Sequence, residues 1–361
     1  MSEPCDPAAE RAGAVGWTRH AARLREPLPL TVLVSALVLA FGTYAAWPRP
    51  GSVIVEASTQ GLTLGLTALA DPWRLPSGTV CVRRGRGETS GGTGNDAHCG
   101  DRRLYAAYRF DSAELIWPAG TELELTRTGA QDPLSIRIEI LPTPTTLQMK
   151  WPEPAEPAEP VETAIDDRPG DIDRGQVALA AGDIVHLDEA GWSSGIVLPF
   201  SNAVAIIGLP PTAGSSGYLI AGRFQMREQL PGRDLSTTVR EGEFLLGDQV
   251  GIVSRAAADH RSSAHTVSTD DARSFRLASG FITAPERRSF RGMQVLLSAP
   301  ARDSALLIAR QANDATVRAT LWHRLASDSL VLSLAALLAF ASAGAALLER
   351  ICTPAGGRSD G

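Results

Sequence analysis

Two long apolar segments bracket a more polar central region. Leu28–Trp47 and Leu330–Leu348 contain no Asp, Glu, Lys or Arg. A helix needs about 20 such residues to cross the hydrocarbon core of a bilayer. The pattern therefore predicts transmembrane helices over 27–47 and 330–348, with everything between them on one side of a membrane.

Short runs between these segments alternate apolar and polar residues, as in Ile136, Ile138 and Ile140. Period-two alternation is typical of strands with one buried and one wet face. The runs and their turn signals predict a β-sandwich domain over 51–141 and a second β-rich domain over 176–313. The expected fold class is therefore a mainly β ectodomain flanked by two transmembrane α-helices.

A proline- and glutamate-rich stretch separates the two predicted domains. Proline at every second or third position between Pro152 and Pro160 favours an extended backbone, and the acidic residues up to Asp173 repel one another. We interpret 142–175 as a semi-rigid linker, with the docking of a partner as the alternative.

Helical spacing returns towards the second apolar segment. The run from Ala305 to Ala309 has a helical pattern, and Val317, Leu321 and Leu325 fall at i, i+4 and i+8, on one face of a helix. This spacing predicts a juxtamembrane helix over 314–329. Trp322 lies close to the second span, where aromatic belts meet the lipid headgroups.

Basic residues set the expected orientation. Arg11, Arg19, Arg23 and Arg25 precede the first span, and only Arg49 follows it closely. Because cytoplasmic flanks carry the excess of Lys and Arg, we expect cytoplasmic tails over 1–26 and 349–361, with the central region in a bacterial periplasm. A cleaved signal peptide is the alternative for the first span; the long polar start and Trp47-Pro48 favour an uncleaved anchor.

The cysteines agree with this placement. Cys81 and Cys99 are the only pair in the central region, whereas Cys5 and Cys352 lie in the predicted tails. An oxidising compartment lets such a pair form a disulfide. Free thiols or half of a metal site are the alternatives.

The distribution of charge excludes nucleic acid as an expected partner. The formal net charge is −6, and the acidic residues concentrate in the linker. The sequence offers no basic face for nucleic acid.

Tests for chemistry find no catalytic, metal or cofactor site. Gly191–Gly195 (Gly-Trp-Ser-Ser-Gly) matches the nucleophile-elbow spacing, but an elbow needs a strand before it and a helix after it, and a strand pattern follows here. We therefore expect a hairpin turn around Ser193. His260 and His265 form a loose pair without further ligands, and His98 and His186 are isolated.

Three further patterns bear on packing. Trp73 and Trp117 are expected in the core, with a carbohydrate-binding face as the alternative. Gly182-Asp183 and Gly247-Asp248 each precede a strand pattern, which is good turn chemistry. Small residues four apart in the spans, such as Ala339 and Ala343, permit helix pairing and a possible homo-oligomer.

The C-terminal part resembles the beside-a-membrane (GIDE-type) domain, a β-rich module between two transmembrane helices. The matching stretches are Glu243–Val250, Gly280–Ile282 and Met293–Ser298, followed by the second span. In the ubiquitin ligases of that type a RING follows the last span. Here only 349–361 follows, with one cysteine, so the resemblance implies the fold and not ligase activity.

The sequence thus favours a non-enzymatic bitopic membrane protein whose extracytoplasmic β domains bind or scaffold an envelope partner. A sensor that signals through the juxtamembrane helix is one alternative. An envelope hydrolase or transferase with a site between the β domains is the other.

Overall fold

The computed structural model describes most of the central region and the C-terminal helices. The described residues are 35, 39, 42, 43, 49–84, 99, 104–129, 132–150, 175–192, 195–208, 217–229, 236–254, 275–285, 292–302, 304–310 and 315–352. The chain divides into two compact units, Arg49–His323 and a second made of Met1–Pro48 with Arg324–Gly361.

The unit Arg49–His323 is built from antiparallel strands. In chain order these are β1 (Gly51–Thr59), β2 (Gly61–Leu66), β3 (Trp73–Arg83), β4 (Tyr105–Leu115), β5 (Glu122–Thr126), β6 (Leu134–Ile140), β7 (Thr145–Lys150), β8 (Gln176–Leu179), β9 (Ile184–Leu187), β10 (Val197–Ile207), β11 (Leu219–Gln229), β12 (Ser236–Phe244), β13 (Gln249–Ser254), β14 (Ala278–Thr283), β15 (Met293–Pro300), β16 (Ser304–Ala309) and β17 (Ala315–Val317). A short helix, α1 (Glu189–Trp192), separates β9 from β10. The mainly β fold class predicted from the alternation is confirmed.

Strand pairing groups these elements into two lobes. Lobe A consists of β2 to β9, hydrogen-bonded in the order β2–β5–β6–β9–β3–β4–β7–β8. Lobe B consists of β1 with β10 to β17, in the order β12–β11–β1–β15–β14–β10–β13–β16–β17. The end of β10 also pairs with β2, so one continuous ladder joins the lobes.

This pairing differs from the expectation of two sequential domains. β1, in the first predicted domain, pairs with β11 and β15 of the second. Conversely, β9 pairs with β3 and β6. Alternation shows which face of a strand is buried and not which strand lies beside it. Within the predicted linker 142–175, β7 is an ordinary strand of lobe A, and 151–174 lie outside the described residues.

Alternating residues of both lobes meet in one buried hydrophobic cluster. Trp73 and Trp117 are both fully buried, with ring centroids 5.7 Å apart and an edge-to-face angle of 83°. The indole Nε1 of Trp73 donates to the carbonyl of Pro199 at 2.7 Å. Their predicted place in the core is confirmed.

The predicted disulfide is confirmed as well. Cys81 in β3 and Cys99 are bonded, with 1.97 Å between the sulfur atoms and 5.6 Å between the Cα atoms. Both cysteines are buried, and the bond joins β3 to a residue 18 positions further along the chain.

The prediction of a helix after Pro300 is wrong. Ser304–Ala309 is strand β16, paired with β13, and all of its residues are buried. A short run that is apolar on both faces fits a central strand as well as a buried helix, so periodicity alone does not separate them. The predicted juxtamembrane helix 314–329 is shorter than expected: β17 takes Ala315–Val317, and helix α2 covers Leu321–Ser327.

Helix α3 (Ser329–Cys352) follows and contains the second predicted span, 330–348. Of the first span, 27–47, only residues 35, 39, 42 and 43 are described, and they are helical. Among the residues that the structure describes, no helix is both long and apolar enough to cross a membrane.

Candidate interaction surface

A groove lies on the outer face of lobe B, where four neighbouring strands bring charged and small residues together. Antiparallel register places Glu56 of β1 beside Arg223 of β11, and Arg223 beside Glu243 of β12. Residues paired across strands project from the same face. The three side chains therefore form one charged row across three strands.

Two of these charges are paired. The guanidinium of Arg223 contacts Oε2 of Glu56 through Nε at 2.8 Å and Nη2 at 2.7 Å. Both side chains are more than half exposed, so the pair contributes no more than about 1 kcal/mol to folding. Glu243 brings a second carboxylate to the row, so two carboxylates flank one guanidinium.

Small residues form the floor of the groove. Its volume is about 410 Å³, and Ala57, Ser58, Ala221 and Gly222 line it together with Gln294 of β15. A Cβ on Gly222 would lie 2.6 Å from the carbonyl oxygen of Glu56 and 2.9 Å from the Cα of Ala57. Glycine is therefore required there for β1 and β11 to approach.

A turn carrying two exposed leucines adjoins the groove, because Phe244 lines the groove and ends β12. We call Leu245–Asp248 the Leu turn. Its side chains of Leu245 and Leu246 are 57% and 69% exposed. The amide of Asp248 donates to the carbonyl of Leu245 at 3.1 Å, and Gly247 has φ 82°, as a type II turn requires at that position.

Asp248 holds this turn in place. Its buried carboxylate accepts the backbone N–H of Leu245 at 2.9 Å, and accepts Nε and Nη2 of Arg310 at 2.8 and 3.2 Å. The hydrogen bond to this carboxylate raises the pKa of Arg310. A two-point guanidinium–carboxylate contact fixes orientation as well as charge, so the leucines are exposed on a rigid support.

Lobe A contains the same turn without the leucines. We call Ala180–Asp183 the Ala turn: Gly182 has φ 92°, and the amide of Asp183 donates to the carbonyl of Ala180 at 3.2 Å. The Asp183 carboxylate accepts the backbone N–H groups of Ala180 and Arg83 at 2.8 and 2.7 Å. Burial raises the pKa of Asp183, and these hydrogen bonds oppose the change.

The comparison shows that the turn itself has no need of leucine. Both turns use Gly at the left-handed position and Asp as the carboxylate, as the recurring Gly-Asp in the sequence suggested. The first two positions differ, however. The Ala turn has Ala180 and Ala181 there, whereas the Leu turn has the exposed Leu245 and Leu246. Large apolar side chains on a rigid, exposed turn are typical of a contact surface.

The residues that resembled a nucleophile elbow have the opposite arrangement. Gly191 and Trp192 lie in helix α1, and strand β10 begins at Val197. A helix thus precedes the serine and a strand follows it, whereas an elbow needs the reverse. Ser193 itself lies outside the described residues, as do His98, His260 and His265.

His186 is the histidine of this group that the structure describes. It is buried in β9, and its Nδ1 lies 2.8 Å from Oγ of Ser135, its cross-strand partner in β6. Such a contact supports the β6–β9 ladder. The described part of the chain contains no cluster of three or more His, Cys, Asp or Glu side chains that could hold a metal ion.

The sequence did not reveal the groove. Glu56 and Arg223 are 167 residues apart, and Glu243 joins them only through strand pairing. The one available signal was the Leu-Leu-Gly-Asp stretch, in which a turn motif carries two leucines. Comparison with known proteins adds nothing to the site: no protein-family model, curated protein or solved structure matches this chain.

Proposed function

We propose that this chain is a non-enzymatic, bitopic membrane protein whose extracytoplasmic β unit binds or scaffolds a protein partner in the cell envelope. The proposal combines the two apolar segments, the disulfide of the central region and the interaction surface on lobe B. The resemblance to the beside-a-membrane domain supports it at the level of a β module between two anchors.

The observation that carries the membrane part is where the chain enters and leaves the β unit. It enters at Gly51, whose carbonyl accepts the amide of Ala301 at 2.8 Å, and Gly51 pairs with Glu228 near the end of β11. It leaves after Val317: the next carbonyl, of Arg318, accepts Nη1 of Arg240 at 2.7 Å.

Strand register brings these two points together. Val53 pairs with Met226, and Met226 pairs with Arg240, so the residue that contacts the Arg318 carbonyl is level with the third residue of β1. Two spans that flank one compact unit leave that unit on one side of the membrane.

Helix α3 supplies the second observation. Its side chains of Leu332, Leu337 and Phe340 are 54%, 65% and 76% exposed. Large apolar side chains along a helix are typical of one that packs against a core or against lipid, and these three are exposed. A bilayer would remove their exposure to water.

The groove and the Leu turn support the partner-binding part. Glu56 and Ser58 lie near the end of β1 that is remote from Gly51. The groove is open to solvent, so a soluble domain or another envelope protein can reach it.

Cysteine labelling in spheroplasts tests the topology. Native Cys5 and Cys352 report on the tails, and Asp111→Cys, at an exposed position of β4, reports on the β unit in a background with both tail cysteines changed to Ser. A membrane-impermeant maleimide should label the Asp111→Cys variant in intact spheroplasts, and the tail cysteines only after detergent is added. Alkaline carbonate should leave the protein in the membrane pellet.

Release by carbonate, or equal labelling of all three positions without detergent, would contradict the proposal. Labelling of the tails alone would reverse the orientation and place the β unit in the cytoplasm.

A further inference from the structure

Helix α2 exposes large apolar side chains at the point where the chain leaves the β unit. The exposed fractions of Leu321 and Trp322 are 46% and 77%, and none of the seven residues of the helix is buried. Tryptophan has one of the largest apolar surfaces of any side chain, so its exposure to water costs free energy. These two side chains therefore need an apolar surface to cover them.

Hydrogen bonds on either side of Leu321 fix the start of α2. Nη1 of Arg240, in strand β12, donates to the carbonyl of Arg318 at 2.7 Å and ties the preceding segment to lobe B. Oγ1 of Thr320 accepts the amide of His323 at 3.4 Å and caps the first turn. Trp322 is therefore exposed on a segment of defined structure.

The chain itself keeps α2 close to the predicted second span. Asp328 is the single residue between α2 and α3. Given the rise of a helix and the spacing of consecutive Cα atoms, the Cα of Trp322 lies within about 16 Å of the Cα of Ser329. When α3 spans a bilayer from Leu330, the indole is within reach of the headgroup layer of the nearer leaflet.

The side chains of this segment suit the headgroup layer better than the hydrocarbon core. Tryptophan combines an apolar ring with an N–H donor, and it is enriched where acyl chains meet polar groups. Residues 315–327 also contain Arg318, His323 and Arg324, with no Asp or Glu. Arginine is costly at the centre of a bilayer, which places the segment at its surface.

We propose that α2 lies in the lipid headgroup layer, with Leu321 and Trp322 inserted as interfacial anchors that hold the β unit at the membrane surface through the Arg240–Arg318 contact. The inference rests on the proposed membrane function and names lipid as a further partner of the β unit. The short connection to α3 favours lipid over a second copy or a partner protein, because lipid surrounds a spanning helix at every protein concentration.

Tryptophan fluorescence of the full-length protein in nanodiscs tests the proposal. The nanodiscs consist of phosphatidylcholine with bromine on the acyl chains, either near the glycerol or near the methyl end, and bromine quenches an indole that it contacts. The chain has seven tryptophans, so the emission of Trp322 is the difference between the unchanged protein and Trp322→Phe. We expect the shallow bromine to quench this emission more strongly than the deep bromine, and aqueous iodide to quench it less than free tryptophan.

Trp192→Phe is the matched control. Trp192 is buried in the core, so its difference emission should be the same in either brominated lipid and in lipid without bromine. Unfolding temperatures show whether a substitution changes the fold, and Trp322→Phe, at an exposed position, should leave the unfolding temperature unchanged.

Three results would overturn the proposal. Quenching of Trp322 by iodide and not by bromine would place α2 in water, and stronger quenching by the deep bromine would place it in the hydrocarbon core. Quenching by neither would mean that protein covers Trp322, and would assign this face to a partner protein or a second copy. Release of the protein by alkaline carbonate would instead contradict the membrane function, so the two failures are distinguishable.

Discussion

Glu124 is a partly buried residue whose ionised side chain lowers the stability of the folded protein. It lies in β5 between Thr63 of β2 and Arg137 of β6. Partial burial raises the pKa of Glu124, the nearby Glu139 carboxylate raises it further, and Arg137 opposes both. A pKa above its unfolded value means that the folded state disfavours the ionised carboxylate.

The substitution Glu124→Gln should therefore stabilise the protein at neutral pH. Above the raised pKa the folded state bears the cost of the charge, and below the unfolded pKa both states are protonated and no cost remains. Because Glu124 is only partly buried, we expect a gain of less than about 1 kcal/mol. Thermal unfolding at pH 7 and at pH 3.5 measures it.

Glu114→Gln, at an exposed position of β4, is the control and should change neither value. A destabilised Glu124→Gln protein at pH 7, or a gain that grows as the pH falls, would contradict the assignment.

At residue scale, sequence reasoning succeeded where one property decided the outcome. Cys81 and Cys99 were the only cysteines of the central region, and Trp73 and Trp117 were large enough to need a core. It failed for Glu56, Arg223 and Glu243, because an exposed charge has no pattern until its cross-strand neighbour is known.

The two Gly-Asp turns show how an element is specified locally. In each, a glycine at positive φ and a buried aspartate close the same hydrogen bonds. Such a turn depends on a few adjacent residues, which is why the sequence revealed both.

Gly247→Ala should destabilise the protein by about 1–2 kcal/mol, the cost of a Cβ in the left-handed region. Nothing lies within 4 Å of a Cβ placed there, so the whole effect comes from the backbone. Chemical denaturation measures the loss. Gly247→Asn is the matched control, since asparagine tolerates this conformation, and it should cost clearly less; equal losses would show that a clash is responsible.

Strand β16, in contrast to the two turns, could not be recognised from its own sequence. Its run from Ser304 to Ala309 is buried on both faces, so neither the period of a strand nor that of a helix is visible. Its length and its partner β13, rather than its own pattern, make it a strand.

For the whole molecule, the junction between the lobes is held by a buried arginine. Arg127 follows β5 of lobe A, and its Nη1 donates to the carbonyl of Gly292, just before β15 of lobe B, at 2.9 Å. Its Nε donates to the carbonyl of Asp132 at 3.0 Å, and its amide to the carbonyl of Gln60 at 2.9 Å. Burial lowers the pKa of Arg127, which nearby Glu189 and Asp132 oppose.

Arg127→Met should therefore cost about 2–4 kcal/mol, because it removes hydrogen bonds of a buried charge and leaves two carbonyls without that donor. Calorimetry should show one unfolding transition for Arg49–His323 in the unchanged protein, at a lower temperature in the variant. Arg137→Met is the control: this arginine is half exposed and 3.7 Å from Glu139, so its loss should cost less than about 1 kcal/mol. Two separate transitions in the unchanged protein would show that the lobes fold independently.

The sequence by itself determined the features that depend on composition and near neighbours. These are the mainly β class, the buried tryptophans, the disulfide, the Gly-Asp turns and the two apolar segments. Each follows from local periodicity, from turn chemistry or from the small number of residues of one type. None of them requires knowledge of which strands pair.

Only the tertiary structure decided how the strands are shared between the lobes. β1 lies in lobe B although the chain continues from it into lobe A, and β10 joins both. Backbone hydrogen bonds carry no residue code, so many registers satisfy the same alternation. The groove and the charged row both follow from that choice of partners.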